Sequence, residues 1–219
     1  MQTSTLNLIL VLGLYGCIFG VIEYLQAKRP IDSELARKAT HIVGGVFAAA
    51  LPIAFSRPFI AAFMVGLALV MWVAGEKQLF HSIKSTHRAG RGELWFPIGI
   101  AALALLESND LRFVCGVLVL GISDALASII GLRLGKRKYY LINNHWKTYV
   151  GSSVFFLSTI TIISLVFNSL AGISLYANVV PLIIISLVLT LLEALSHKGQ
   201  DNLLLPLSTA LLLGLFGFK

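Results

Sequence analysis

An aspartate lies inside an apolar stretch of this chain and is followed closely by basic residues. Asp124 falls within the segment GISDALASIIGL. A carboxylate at membrane depth costs roughly 2.5 to 3.5 kcal/mol on insertion scales, so Asp124 needs a cationic partner, a wet cavity or a bound cation. Because an unbroken helix would hold it too deep to reach the surface, we expect the helix to break near Gly121 or water to reach the carboxylate. The basic residues that follow are Arg133, Lys136, Arg137, Lys138 and Lys147.

Two further acids occur at the ends of later apolar stretches. Glu193 ends one stretch, and Asp201 with Asn202 comes directly before the next. Together with Asp124 they supply three hard oxygen donors, the ligand type that Mg2+ takes when it also binds substrate phosphates. The sequence therefore predicts a Mg2+ site formed by Asp124, Glu193 and Asp201, provided that the fold brings their loops together.

A phosphate site is indicated where the basic loop meets the next apolar stretch. Lys147 and Thr148 precede a predicted helix start, where free backbone N–H groups and the helix dipole favour negative charge. Ordinary N-capping by Thr148 is the alternative. Gly131, Gly135 and Lys136 do not have the spacing of a P-loop, which needs four residues between its glycines and a Ser or Thr after the lysine. Close helix packing is the simpler explanation of the two glycines.

Two other polar groups flank apolar stretches. The segment RKATH places Arg37, Lys38 and His41 at the head of one stretch, and GRGELWFPIGI places Arg91 and Glu93 before another. Basic residues that extend towards the membrane surface and a solvated loop would explain both groups without any function. The functional interpretation assigns these five residues to a substrate pocket.

The elements that must position these residues are membrane helices. The chain has 219 residues, of which 57% are hydrophobic and only 12% charged, and its mean hydropathy is +0.87. Soluble domains carry about 25% charged residues, so this composition predicts an all-α integral membrane protein with one polytopic domain, 1–219. About eight transmembrane helices are expected, with seven to nine as the range. They fall at 5–26, 39–55, 58–75, 95–107, 111–132, 150–171, 176–195 and 203–218.

The distribution of basic residues predicts the topology. Fourteen of the 17 Lys and Arg residues fall in loops on one side of the predicted helices, and three fall on the other. Cytoplasmic loops carry the excess of positive charge, so both termini are expected outside and the polar clusters at the cytoplasmic face. The net charge of +7 is accounted for by topology, and no nucleic-acid partner is expected.

Five motifs, in this order, resemble the polyprenol kinase family, which contains dolichol, phytol and farnesol kinases and CTP-dependent diacylglycerol kinase. The resemblance extends from Arg37 almost to the end of the chain. Ser123 and Val150 depart from the family pattern, and Val150 is closest to the phytol-kinase-like members. The motifs are RKATH at 37–41, GELWFPIGI at 92–100, SDALASIIGLRLGK at 123–136, NNHWKTYVGS at 143–152 and EALSHKGQDNLLLPL at 193–207.

The resemblance implies transfer of the γ-phosphoryl group of CTP to the hydroxyl of an isoprenoid alcohol, with Mg2+, at the cytoplasmic face of a multi-pass membrane protein. It implies catalytic roles for Asp124, Lys147 and Asp201. The partners expected are the lipid alcohol, CTP and membrane lipid, and a homo-oligomer is compatible with the pattern. The nucleotide-binding set that it implies is Lys136, Arg137, Lys138, Lys147, Thr148 and Asn202.

Two alternatives stay open. A CTP-dependent cytidylyltransferase of the CDP-diacylglycerol synthase type would use the same nucleotide and break a different bond. A membrane transporter or scramblase would use Asp124 and Glu193 to line an ion or head-group path, although the matching broken helices of such proteins are not evident in the sequence.

Overall fold

The computed structural model describes residues 33–76, 92–140, 146–172, 178–197 and 199–218, together with positions 11, 13, 15–17, 20, 21 and 24. These parts of the chain are almost entirely helical, which confirms the all-α class. The helices within the described ranges are α1 (Ser33–Ala50), α2 (Arg57–Glu76), α3 (Gly92–Leu106), α4 (Asp110–Leu118), α5 (Asp124–Leu134), α6 (Tyr149–Ala171), α7 (Val179–Leu195) and α8 (Asp201–Leu215).

Three helices are long and apolar enough to cross a membrane. They are α2, α6 and the continuous helix Asp110–Leu134, which comprises α4, a π-helical turn at Val119–Ser123 and α5. Shorter apolar helices lie in α3, α7 and α8. The long helices and the resulting lipid-compatible surface agree with the prediction of a membrane protein. The count of eight spans and the position of both termini stay predictions, and the first predicted span, 5–26, lies mostly outside the described residues.

The helix positions follow the predicted apolar stretches, with differences at their ends. The helix at the short predicted stretch 95–107 is longer than the stretch itself, because α3 begins at Gly92. Helix α1 starts at Ser33, six residues before the predicted span 39–55, and its first turns carry Arg37 and Lys38. Polar residues can continue a helix beyond an apolar stretch, so hydropathy alone does not mark these starts.

The Asp110–Leu134 helix lies between two apolar cores. Phe113, Val117 and Leu120 pack into a core built with α1, α2 and α3. Cys115 and Val119 turn to the opposite side and pack into a core built with α6, α7 and α8. This helix is also the most deeply buried of the three long apolar helices. It is therefore the central element on which both halves of the bundle pack.

The irregularity expected near Gly121 is present, as a π-helical turn and not as a break. The turn covers Val119–Ser123 and leads directly into Asp124, the first residue of α5. A π turn adds a residue to the helical turn and rotates everything that follows, and such turns are frequent at functional sites. The turn thus changes the direction in which Asp124 projects relative to α4.

Helix α1 crosses this π turn at a contact between two glycines. A Cβ atom added at Gly121 would lie 2.9 Å from the Gly45 Cα atom and 2.9 Å from the His41 carbonyl oxygen. A Cβ atom at Gly45 would lie 2.8 Å from the Gly121 Cα atom. Only hydrogen atoms fit between the two backbones, so the crossing distance depends on both glycines.

The connection between α5 and α6 is a β-hairpin, which the sequence analysis did not predict. Strand β1 (Lys138–Tyr140) pairs antiparallel with β2 (Trp146–Thr148), and Tyr139 lies opposite Lys147. Alternate residues of a strand face opposite sides. Tyr139 and Lys147 therefore share one face of the hairpin, and Lys138, Trp146 and Thr148 lie on the other.

We expect Gly121→Ala to lower the free energy of unfolding by about 1–3 kcal/mol, because the added methyl group forces α1 and the π turn apart. The measurement is the thermal unfolding midpoint of the detergent-purified protein. Gly66→Ala is the matched control, because a Cβ atom at Gly66 meets nothing within 4 Å and alanine favours the helix. Equal midpoints for Gly121→Ala and the wild type would contradict the close crossing.

Candidate active site

A buried ion pair joins α1 to α5. The Lys38 Nζ atom donates a hydrogen bond of 2.5 Å to the Asp124 Oδ2 atom, and each side chain is only 4% exposed. Burying one of these charges alone would cost several kcal/mol, and the pairing offsets that cost. Asp124 thus has the cationic partner that its depth requires, and the partner comes from the RKATH motif.

His41 lies one helical turn after Lys38 and is buried beside the same pair. Its ring packs against Phe96 of α3, with the ring centroids 4.3 Å apart. Its Nδ1 atom has no hydrogen-bond partner among the described residues. The RKATH and GELWFPIGI motifs therefore meet at this histidine, which places a polar ring nitrogen next to the acid of the third motif.

A second polar contact between α1 and α5 lies one turn closer to the helix ends. The Arg37 guanidinium donates hydrogen bonds of 2.7 and 3.1 Å to the Glu34 carboxylate. Ser128 donates a third, of 3.0 Å, to the same carboxylate. Burial raises the pKa of Glu34, but the Arg37 hydrogen bonds and charge outweigh it and leave that pKa below its ordinary value. Glu34 is therefore a fixed anion that orients Arg37.

The hairpin places Lys147 against α7. The Lys147 ammonium is hydrogen-bonded to the Glu193 carboxylate, and only 6% of the Glu193 side chain is exposed. Burial lowers the pKa of Lys147, but the Glu193 carboxylate raises it more, so the pKa lies above its ordinary value. This contact joins the loop after α5 to the end of α7, as the predicted site requires.

Asp201 completes the cluster at the first residue of α8. The charges of Asp124, Lys38, Lys147 and Arg37 all act on the Asp201 carboxylate, so Asp201 lies within electrostatic range of both ion pairs. The structure gives it one hydrogen bond, of 3.1 Å, from the Asn202 backbone N–H group. Unlike Asp124 and Glu193, Asp201 forms no ion pair with any described residue.

Close helix packing holds α8 in this position. A Cβ atom added at Gly99 of the GELWFPIGI motif would lie 2.1 Å from the Asn202 carbonyl oxygen. The backbone of α3 is thus in direct contact with the start of α8, and Asn202 is buried there. One role of the second motif is to let α8 bring Asp201 against the ion pairs.

The cluster carries an excess of negative charge. Its described members are four carboxylates and three cations, which leaves one net negative charge when all are ionised. A divalent cation suits such a set, and oxygen donors are the ligands that Mg2+ prefers. No three His, Cys, Asp or Glu side chains within the described ranges are yet arranged around a common metal position. The members are Glu34, Asp124, Glu193 and Asp201 with Arg37, Lys38 and Lys147.

The other predicted nucleotide-binding residues lie in different settings. Lys136, Arg137 and Lys138 are exposed at the approach to β1. Thr148 caps α6, because its Oγ1 atom accepts a 3.0 Å hydrogen bond from the Gly151 N–H group. The capping alternative for Thr148 is thus confirmed.

The glycines that precede the hairpin serve packing. A Cβ atom at Gly131 would lie 2.8 Å from the Thr148 Oγ1 atom, and one at Gly135 would lie 2.6 Å from the Thr148 Cβ atom. Both glycines let α5 approach the start of α6, which confirms the helix-packing interpretation. Of the two predicted pocket residues near α3, Glu93 lies in its first turn, and Arg91 lies outside the described residues.

Sequence reasoning did not find two polar contacts. Ser128 bonds to Glu34, and the Tyr139 hydroxyl and the Ser152 hydroxyl lie 2.5 Å apart. For Ser128 a signal exists, since it lies four residues after Asp124 and so on the same helix face. For Tyr139 the signal would have been the alternation of side chains along a strand, but a strand of three residues is too short to show that pattern.

Comparisons with known proteins agree with the resemblance. A probable chloroplastic phytol kinase of Triticum aestivum is 25% identical over 227 residues, which cover 94% of this chain and 74% of that protein. The phytol kinase of Synechocystis is 25% identical over 210 residues, 90% of this chain and 85% of the relative. An uncharacterized protein of Methanocaldococcus jannaschii is 29% identical over 192 residues, 82% of this chain and 92% of that one.

No protein-family model matches the chain, and no solved structure matches it. The several phytol kinases that are similar over most of its length nevertheless confirm the resemblance to the polyprenol kinase family. The chain is thus phytol-kinase-like in sequence, and its motifs converge on one end of the helical bundle.

We expect Lys38→Met to destabilise the protein by about 3–5 kcal/mol, because it leaves the buried Asp124 carboxylate without its partner. The double variant Lys38→Met/Asp124→Leu should recover most of this loss, since neither charge remains to be buried. Denaturant unfolding of the detergent-purified variants measures both values. A double variant as unstable as the single one would show that the pair does not balance the two charges.

Proposed function

We propose that this protein is a CTP-dependent lipid-alcohol kinase of the membrane. It would transfer the γ-phosphoryl group of CTP, with Mg2+, to the hydroxyl of an isoprenoid alcohol of the phytol, farnesol or polyprenol type. The observation that carries the proposal is the buried cluster in which Lys38 pairs with Asp124 and Lys147 pairs with Glu193, with Asp201 beside them. Its support comes from the phytol kinases that are similar to this chain.

The two lysines suit a polyphosphate because they are held in place before it binds. Each is charged and fixed by a carboxylate, so little side-chain freedom is lost when it turns to a phosphate oxygen. Phosphoryl transfer depends mainly on positioning and on neutralising the charge of the equatorial oxygens. In this proposal Lys147 and Lys38 exchange their carboxylates for phosphate oxygens, and Asn202 adds a neutral contact.

The carboxylates that the lysines release would then hold the metal. Asp201, which forms no ion pair with a described residue, would hold Mg2+ together with Asp124 and Glu193. Bound there, Mg2+ supplies positive charge to the phosphate oxygens.

The acceptor alcohol would reach the cluster from the lipid side. Its chain lies between helices, and its hydroxyl oxygen attacks the γ-phosphorus atom as the bond from that phosphorus to the bridging oxygen breaks. The hydroxyl proton passes to a carboxylate, and CDP leaves. Asp124 and Asp201 both suit the role of base.

A labelled-nucleotide assay tests the reaction. Detergent-purified protein with Mg2+ should move label from the γ-phosphate of CTP to one or more of phytol, farnesol, geranylgeraniol, long polyprenols and diacylglycerol. Transfer of label from the α-phosphate would indicate cytidylyl transfer instead. No transfer to any acceptor from CTP or another nucleotide would favour the transporter or scramblase.

Asp201→Asn should lower kcat by roughly 100-fold or more, because it removes charge stabilisation that acts on the transferring phosphoryl group. Asp110→Asn is the matched control: that aspartate pairs with Arg57 at the opposite end of the central helix and is 71% exposed, so full activity is expected. Lys147→Gln should raise KM for the nucleotide. Wild-type activity in Asp201→Asn would rule out the metal role given to this residue.

A further inference from the structure

A group of exposed cations lies at the approach to the hairpin. Arg133, Lys136, Arg137 and Lys138 fall within six consecutive positions and are all exposed. None of them forms an ion pair with a residue in the described ranges. Four unpaired positive charges at one place repel one another, so the site favours a negatively charged partner from outside the protein.

The position of this patch relative to a membrane follows from the chain itself. The hairpin connects the Asp110–Leu134 helix to α6, both of which are long and apolar enough to span. It must therefore lie at the membrane surface. Leu132 and Leu134, in the last turn before the hairpin, are 62% and 66% exposed, which suits contact with lipid.

Aromatic side chains extend the patch. Trp146 is 61% exposed and Tyr149 is 60% exposed. Tryptophan and tyrosine with apolar bodies and polar tips are enriched at the level of lipid head groups. Exposed leucines and aromatics would add nothing to the binding of a free polyphosphate, but they match a surface that is half hydrocarbon and half head group.

The two faces of the hairpin carry different residues. Lys147 and Tyr139 share the face that turns to Glu193 and Ser152. Lys138 and Trp146 lie on the opposite face. Lys138 and Trp146 thus face away from the carboxylate cluster in which the nucleotide is proposed to bind.

We propose that Arg133, Lys136, Arg137, Lys138, Trp146 and Tyr149 form a binding surface for anionic lipid head groups of the membrane in which the protein lies. Clusters of basic residues directly beside a membrane span attract anionic lipids through their charge. In this proposal Lys136, Arg137 and Lys138 bind lipid head groups, and not the nucleotide as the resemblance implied. The proposal goes beyond the kinase activity and does not require it.

Fluorescence quenching by brominated lipids tests this surface directly. The chain has three tryptophans, so Trp72→Phe/Trp95→Phe leaves Trp146 as the single reporter. In nanodiscs containing a minor fraction of brominated lipid, brominated phosphatidylglycerol should quench Trp146 more strongly than brominated phosphatidylcholine. Each cation is expected to enrich the anionic lipid roughly fivefold at low salt, and the preference should fall as salt rises.

Charge substitutions in the Trp72→Phe/Trp95→Phe protein test whether the cations cause the preference for anionic lipid. Lys136→Gln/Arg137→Gln/Lys138→Gln should abolish most of the preference, and Lys136→Arg/Lys138→Arg should retain it. Trp95→Phe/Trp146→Phe reports instead from Trp72, an exposed tryptophan of α2 outside the patch, and should show a weaker preference. Native mass spectrometry of otherwise wild-type protein, with and without the three glutamine substitutions, counts retained anionic lipids if the single-tryptophan protein does not fold.

Three outcomes would overturn the proposal. Equal quenching of Trp146 by the two lipids would show that the patch does not select anionic head groups. A preference that survives the three glutamine substitutions would show that these cations do not cause it. Loss of the preference on addition of Mg2+ and CTP, but not of Mg2+ alone at the same ionic strength, would show that the patch binds nucleotide. Because the readout is quenching, failure of the kinase proposal would leave the expected result unchanged.

Discussion

The buried pair of Lys38 and Asp124 is the interaction on which the arrangement of this bundle depends. Two charges in an apolar interior are tolerated only when they meet, so α1 must cross the central helix within the length of one lysine side chain. The contact of Gly45 with Gly121 allows that approach. The π turn at Val119–Ser123 then directs the carboxylate towards α1. The glycine contact and the π turn, which includes Gly121, thus serve one pair.

The same end of the bundle gathers charges from three other elements, and the rest of the described interior is largely apolar. Lys147 arrives on the hairpin, Glu193 at the end of α7 and Asp201 at the start of α8. Helix ends are suited to this role because they lie near the membrane surface and keep their polar groups within reach of water-borne ligands. The long apolar helices fix these ends relative to one another.

Much of this architecture could be predicted from the sequence, because its signals are local. Hydropathy located the helices. The energetic cost of a buried carboxylate predicted a cationic partner, a wet cavity or a bound cation for Asp124, and either an irregularity near Gly121 or access for water. The identity of the partner could not be predicted, since Lys38 lies 86 residues away and several other basic residues were equally available. Hydropathy also gives no signal for strands of three residues, so the hairpin and the division of its basic residues between two faces were missed.

Carboxylates and lysines that neutralise one another also explain how such a cluster can exist without its ligands. Three hard acids packed around an empty metal position would repel one another in a medium of low dielectric constant. Here two of the three are neutralised by lysine, and only Asp201 keeps an unpaired charge among the described residues. The protein can therefore fold with these charges gathered, and in the proposed function ligand binding would redistribute their partners.

The hairpin couples the exposed side of the protein to its interior through the register of one short strand. Trp146 and Lys147 are adjacent in a strand of three residues and face opposite sides. A slip of one residue in the pairing would exchange them, burying the indole beside Glu193 and turning the ammonium outward. The backbone hydrogen bonds of this six-residue sheet thus fix the register of its two strands. They keep Lys147 on the face that contacts Glu193 and Trp146 on the exposed face.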